Sequence, residues 1–177
     1  MRPLRLREAT PGDAATLAAF MERNFRLAYG HCSTPANIDA AVHEHYGLAA
    51  QQRQLADPSR WHLLAEGDGG ELLGHAQVHF DERAPAAVVP LPAAEVTRFY
   101  VEAAAHGRGV AQRMLAEVER HARERGIASL WLSVWKDQPQ AVRFYEKSGF
   151  VAAGDLVFVV GDDPKDDWLM LKALGDA

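Results

Sequence analysis

Two glycines flank an arginine in His106-Gly107-Arg108-Gly109-Val110-Ala111, between a strand-like run ending at Val101 and an amphipathic stretch with helical spacing. Glycine lets the backbone curl tightly, the first turn of a helix leaves its N–H groups unpaired, and the helix dipole adds partial positive charge. Together these make a cradle of donors suited to a phosphate or pyrophosphate. A Gly-x-Gly alone is a weak signal. This one gains weight from its continuation: a strand over 129–136, then a short helix carrying Ala141-Val142-Arg143-Phe144-Tyr145-Glu146-Lys147-Ser148-Gly149-Phe150.

The combination resembles the GNAT superfamily of N-acetyltransferases. Its loop is usually written Gln or Arg, then x-x-Gly-x-Gly or Ala, and its second half ends in Phe-Tyr-Glu-Lys-x-Gly-Phe. Gly109 and Ala111 fill the small positions here. His106 stands where Gln or Arg is usual, and Gln138 stands where such enzymes often carry an Asn that touches the pantetheine arm. The resemblance implies acetyl-CoA as co-substrate. The backbone of Phe99, Tyr100 and Val101 would pair with the pantetheine like an added strand. His106, Gly107, Arg108, Gly109, Val110 and Ala111 would surround the pyrophosphate, with Gln138 and Tyr145 along the reactive arm.

It also implies direct attack of an amine on the thioester in a ternary complex. An alkylamine with a pKa near ~10 is mostly protonated at neutral pH, so the site must help it lose a proton. Glu95, on the fourth strand before Val101, is the candidate base; the alternatives are a solvated strand carboxylate or an anchor for a cationic substrate. Tyr145 matches the tyrosine that protonates the departing thiolate in many relatives; the alternative is an aromatic core anchor.

The elements that must position these residues are legible from periodicity and turn chemistry. A first strand over 4–7 leads through Thr10-Pro11-Gly12-Asp13 into an Ala-rich helix reaching Tyr29, with Leu17, Phe20, Met21, Asn24 and Leu27 on one face. Thr34-Pro35 starts a second helix running to Tyr46. A third covers 49–55. Alternating runs over 61–66 and 71–80 are joined by Gly67-Asp68-Gly69-Gly70, a hairpin signal, and 81–92 with its prolines reads as a loop. The fourth strand spans 94–101 and the following helix 107–125, its apolar stripe being Ala111, Met114, Leu115, Val118 and Ala122. Leu130, Leu132 and Val134 alternate with Trp131, Ser133 and Trp135 in a strand covered on both faces. Two last strands, over 151–160 and 167–173, flank an acidic turn at 161–166. The expectation is one mixed α/β domain over 1–177. The resemblance implies that it has a central, mostly antiparallel sheet of about seven strands, with splayed parallel strands four and five, flanked by about four helices.

Composition sets the outer bounds. The chain has 177 residues, 48% hydrophobic and 24% charged, as expected of one globular domain. A net charge of −5 argues against a general nucleic-acid binder and suits a cationic substrate. The sequence has no apolar run of about 18 residues and no export signal, so no membrane span is expected and the cytoplasm is the default. Cys32, the single cysteine, reads as structural. His75 with His79, and His43 with His45, lack the spacing of a metal site with a third ligand, so no metal is expected. Trp131 and Trp135 read as core or interface, and Arg113 and Arg120 as solvated helix charges. Strand edges at the C-terminal end leave room for a homodimer.

Within the superfamily the chain looks most like bacterial enzymes of the spermidine/spermine N-acetyltransferase type. The residues behind this are Phe25, Tyr29, Thr34-Pro35-x-Asn37, Leu130-Trp131-Leu132-x-Val134-Trp135, Val157-Phe158-x-x-Gly161-Asp162-Asp163 and Leu169-Met170. A polyamine needs carboxylates at the pocket mouth, and Glu44, Asp81, Glu82 and Glu95 are candidates, with the acidic stretch 162–167 able to steer cations. Three functions stay open: a small-molecule amine acetyltransferase with polyamines leading, a protein or peptide N-acetyltransferase, and a non-catalytic acetyl-CoA sensor.

Overall fold

A computed structural model of the chain describes residues 4–80 and 83–175. Asp81 and Glu82, proposed for the pocket mouth, lie outside the described residues. Seven strands form one sheet in the order β1-β2-β3-β4-β5-β7-β6. They are β1 (Arg5–Glu8), β2 (Arg60–Glu66), β3 (Leu72–His79), β4 (Ala93–Val101), β5 (Ser129–Trp135), β6 (Val151–Val160) and β7 (Asp163–Ala173). The helices are α1 (Ala14–Tyr29), α2 (Pro35–Ala41), α3 (Leu48–Ala56), α4 (Val110–Glu124) and α5 (Pro139–Lys147).

Local chemistry sets the entries. The Asp13 carboxylate accepts from the Thr10 N–H at 2.7 Å and is gripped by Arg7 at 2.7 and 2.9 Å, which ties β1 to the start of α1. Thr34 Oγ1 accepts from the Asn37 N–H at 3.3 Å, capping α2 with Pro35 at its first position. The expected helix does reach Tyr46, but its winding changes: α2 ends at Ala41 and a π-helical turn covers Val42–Tyr46. In α1, Phe25 is fully buried and Leu27 is 66% exposed, which reverses one assignment of the expected face.

Among the described residues β4 and β5 make the sheet's parallel pairing, and it is brief: Ala93↔Ser129, Ala94↔Leu130, Glu95↔Trp131. Beyond Glu95 the two strands run on without pairing and part. Such a crevice at the carboxyl ends of parallel strands is where open α/β sheets take ligands. A bulge sharpens it. The β3–β4 register shifts between Gln77 and Val78, leaving Thr97 as the extra residue, and Thr97 Oγ1 donates to Gln77 Oε1 at 3.0 Å. The alternation of β4 therefore slips: Ala94, Val96, Phe99 and Val101 pack beneath α4 and α5, while Arg98 and Tyr100 face α1 and the π-helical turn.

The main core lies between the sheet and α4 with α5, built from Met114, Leu115, Val118, Leu130, Leu132 and Phe150 among others. A second core packs α1 and α2 on the opposite face through Leu17, Phe20, Met21, Phe25, Ile38 and Tyr46. Each large apolar side chain fully buried in these layers contributes about 1.5–3 kcal/mol. A third cluster of Val88, Ala93, Trp131 and Leu169 sits on the α1 side of β5 and β7.

The acidic turn needs correction. Gly161 and Asp162 alone make the turn, and β7 begins at Asp163, paired to Val160, with Pro164, Lys165 and Asp166 opposite Val159, Phe158 and Val157. The apolar alternation of β6 runs on to Val160, and its backbone needs partners there; Ser33 Oγ donating to Asp163 at 2.6 Å and Lys165 Nζ donating to the Cys32 carbonyl at 2.9 Å fix the new pairing.

Candidate active site

Where β4 and β5 part, a cleft of about 700 Å³ opens between α1, α4 and α5. One wall is Phe99, Tyr100 and Val101 of β4, and another is Gln138, Pro139, Ala141, Phe144 and Tyr145 at α5. Its floor is His106, Gly107, Gly109, Val110 and Ala111, and its rim includes Asn24, Leu27 and His31. Leu27, exposed when viewed as a helix residue, is cleft lining, and Ala111, expected in the core stripe, faces the cleft while Val110 is buried in its place.

The floor has the geometry expected of an anion cradle. Gly107 (φ 71°) and Gly109 (φ 76°) are both left-handed, and a Cβ at either position would meet nothing within 4 Å. These glycines are required by conformation, since crowding does not forbid a side chain there. Gly109 caps α4, and the first N–H groups of this helix have no partner one turn earlier. They open toward the cleft with the positive end of the helix dipole behind them.

Two residues of the loop are engaged by the protein itself. His106 Nε2 sits 2.9 Å from the Val101 carbonyl, so its ring N–H closes the loop onto the end of β4. Arg108 is exposed and does not line the cleft, and its backbone N–H donates to the Ala105 carbonyl at 3.4 Å. Gln138 lies at the N-cap of α5 and lines the cleft, its backbone carbonyl accepting from Ala141 and Val142 at 3.0 and 3.1 Å.

Tyr145 is 7% exposed, its ring set edge-on against Phe99, Phe144 and Phe150 at 6.2, 5.2 and 5.5 Å. Burial alone pushes its phenol above the ordinary tyrosine range, so it stays protonated at any working pH. Among the described residues its hydroxyl has no hydrogen-bond partner. Glu95 is half-buried at the last paired rung of β4 and β5, opposite Trp131 and His79, at the root of the crevice and away from the cleft lining.

The sequence over residues 21–150 matches the acetyltransferase (GNAT) family. The chain belongs to the GNAT family of acetyltransferases. It is 31% identical over 163 residues to an uncharacterized N-acetyltransferase of Mycobacterium tuberculosis, which covers 92% of this chain and 98% of the relative. Among solved structures, the PaiA N-acetyltransferase of Thermoplasma acidophilum in complex with coenzyme A aligns with a TM-score of 0.78 at 18% identity, over 97% of this chain and 99% of that one. A spermidine N-acetyltransferase SpeG chimera from Vibrio cholerae and human SSAT aligns at 0.66 and 20% identity, over 97% and 95%. These two likenesses establish the GNAT fold, with its seven-stranded sheet and parallel β4 and β5.

As a GNAT acetyltransferase the protein uses acetyl-CoA, and the residues present fit that co-substrate. The glycine cradle, the open first turn of α4 and the cleft along Phe99–Val101 place backbone donors and a groove in one continuous space. The remaining expectations place plainly. Trp131 and Trp135 are core on the α1 side, with Trp135 stacked on Tyr29 at 5.7 Å. Arg113 donates to the Leu4 carbonyl at 3.0 Å, and Arg120 pairs with Glu117 and Glu124 on the surface of α4. Cys32 is half-buried and its thiol lies 3.3 Å from the Tyr29 carbonyl. No helix among the described residues is long and apolar enough to cross a membrane.

Two charged residues, Arg98 and Asp167, lie on the α1 side near the cleft and outside its lining. The sequence reading placed Arg98 within the fourth strand without a role of its own, and Asp167 at the start of the last strand and the end of the acidic stretch. Arg98 had a visible signal, being an arginine inside the otherwise apolar run Val96-Thr97-Arg98-Phe99-Tyr100-Val101. The bulge that turns it inward had none.

Proposed function

We propose that the protein transfers an acetyl group from acetyl-CoA to a primary amine of a small molecule by direct attack in a ternary complex. The observation that carries this reading is the continuity of one cleft from the glycine cradle at α4 to Tyr145. Acetyl-CoA supplies an activated thioester when bound. The backbone N–H groups of Gly107, Gly109, Val110 and Ala111 hold its pyrophosphate, and the edge of β4 from Phe99 to Val101 that faces β5 without pairing to it offers hydrogen bonds along the pantetheine. Tyr145, kept neutral by burial, is placed to give a proton to the departing thiolate, and the surrounding Phe99, Phe144 and Phe150 fix its ring. Glu95 at the root of the crevice is the candidate to take the amine proton, directly or through water.

Polyamines are the acceptor class suggested by sequence resemblance, and a spermidine acetyltransferase chimera is among the similar folds. The described residues gather no ring of carboxylates to hold a second ammonium: Glu44 is exposed beside His45, and Asp163 is already paired with Lys165. The deciding experiment is thiol release from acetyl-CoA across polyamines, aminoglycosides, amino acids and a lysine peptide. Saturable turnover on one class supports transfer, and tight acetyl-CoA binding with no turnover on any of them favours a sensing role.

A homodimer through β6 is also proposed. It is the edge strand of the sheet, and Val151, Val157 and Val159 stand exposed along it. Light scattering should give twice the chain mass, and Val157→Lys should shift it toward the monomer; a monomer at all concentrations refutes the pairing.

A further inference from the structure

On the α1 side of the crevice, where an acceptor would approach the thioester, lies a cation that the transfer reaction does not use. Arg98 follows the β4 bulge and turns inward, its Nη1 donating to the Thr97 carbonyl at 2.7 Å and its guanidinium 4.8 Å from the Tyr46 ring centroid. Its Nε is sealed from solvent and has no hydrogen-bond partner. Among the described residues no carboxylate lies within ion-pair distance of it. The nearby Glu95 carboxylate favours the charged form of Arg98. A buried charged donor left unsatisfied is costly, which favours an anion that arrives from outside.

The other lip of the crevice is the mirror case. Ser133 Oγ on β5 donates to Asp167 Oδ2 at 2.5 Å, and Asp167 Oδ1 is buried with no partner. Tyr29 stands between the two lips: its ring stacks on Trp135, and its phenol feels both the Asp167 carboxylate and the Arg98 guanidinium. Tyr29, Tyr46 and Tyr100 thus lie near one unspent cationic donor on β4 and one unspent anionic acceptor on β7. A polyamine has no group for the guanidinium and is repelled by it. An amine that also carries a carboxylate satisfies Arg98 through a charge-assisted hydrogen bond and offers N–H donors to the opposite lip.

We propose that the acceptor is a small zwitterion, a primary amine bearing a carboxylate in the manner of an amino acid, with its carboxylate held by the Arg98 guanidinium beside Tyr29, Tyr46 and Tyr100. The inference rests on the acetyltransferase reading above and narrows its acceptor.

The test compares matched amines that differ by the carboxylate alone: leucine with isoamylamine, phenylalanine with phenethylamine and ornithine with putrescine, alongside spermidine. The full chain and acetyl-CoA are used, and kcat/KM is read for each. A site built to bond a polar group discriminates strongly against its absence, so the carboxylate-bearing member should lead by about 10²-fold or more. Arg98→Gln should shrink that ratio to within about tenfold, with Arg98→Lys keeping part of it. Preference for the decarboxylated member or for spermidine, or a ratio that survives Arg98→Gln, overturns the proposal. Melting temperature and acetyl-CoA binding establish that each variant is folded. If Arg98→Gln does not fold, inhibition by isocaproate, which has the carboxylate without the amine, decides: competition against the amine supports the site, and none at millimolar concentration refutes it. Calorimetric binding of leucine to the coenzyme-saturated wild-type protein separates the two readings. Binding without turnover on any amine defeats the acetyltransferase reading and keeps the carboxylate site; turnover confined to amines without a carboxylate does the reverse.

Discussion

Tyr145 and Glu95 divide the proton traffic of the proposed reaction, and their surroundings differ in kind. Tyr145 sits in an aromatic socket that raises its phenol by burial alone, so it holds its proton until the thiolate forms. Tyr145→Phe keeps the socket and removes the proton; kcat should fall about 10²-fold with little change in KM for acetyl-CoA. A kcat within twofold of wild type would make the ring only an anchor. Glu95→Gln separates base from anchor by a different split. Loss of kcat of about 10²-fold at constant acceptor KM, together with loss of the acid-side ionisation in kcat/KM, fits a base. A raised KM with kcat retained fits an anchor. Both residues were legible from motif position. Arg98 was not, because its inward direction follows from a one-residue bulge at Thr97 and no period-two pattern contains that slip.

Among the elements, α4 carries the site, and its docking on β3 and β4 decides where the cradle points. Gly74 on β3 is the contact point: a Cβ there would run into Met114 Sδ of α4 and come within 3.2 Å of the Tyr100 carbonyl. Gly74→Ala should destabilise the fold by about 1–3 kcal/mol through overpacking, read from the denaturant midpoint. It should also raise KM for acetyl-CoA by tilting α4, and an unchanged midpoint would show that Met114 simply swings aside. Helix and strand boundaries were readable where side chains of one kind repeat, as along α4 and β5. They misled at 161–166, where charge suggested a turn and the demand of β6 for backbone partners made most of it strand.

Over the whole molecule, stability is tied to buried histidines under α1 and α3. His62 Nδ1 and His75 Nε2 are 3.2 Å apart, so one must donate and the other accept, and His75 Nδ1 faces Met21 sulfur at 3.2 Å. Burial lowers His62 to about 4, with Arg60 and Arg98 pushing the same way and Asp57 and the Gln54 carbonyl opposing. His75 is lowered well below the usual range by burial, then by His62 and Arg98. An unfolded histidine titrates near ~6.5, so between that pH and about 4 the unfolded chain binds more protons and stability falls as pH falls. Each histidine contributes at most about 1.4 kcal/mol per pH unit. Asp167, raised by burial, works in the opposite sense, and Asp13, lowered chiefly by its hydrogen bond from Arg7, matters only below about 4. The melting temperature should drop steadily from pH 7.5 to 5, and His62→Gln should flatten that slope; equal slopes would remove these histidines as the cause. By itself the sequence determined the fold family and the co-substrate and nominated the cradle, acid and base residues, because a glycine-rich loop and a strand–helix succession depend on local glycine chemistry and local periodicity. Tertiary structure decided which charged groups lie near one another on the α1 side: Arg98, Asp167 and the three tyrosines come from β4, β7, α1 and the π-helical turn, and the bulge at Thr97 turns Arg98 toward Tyr46.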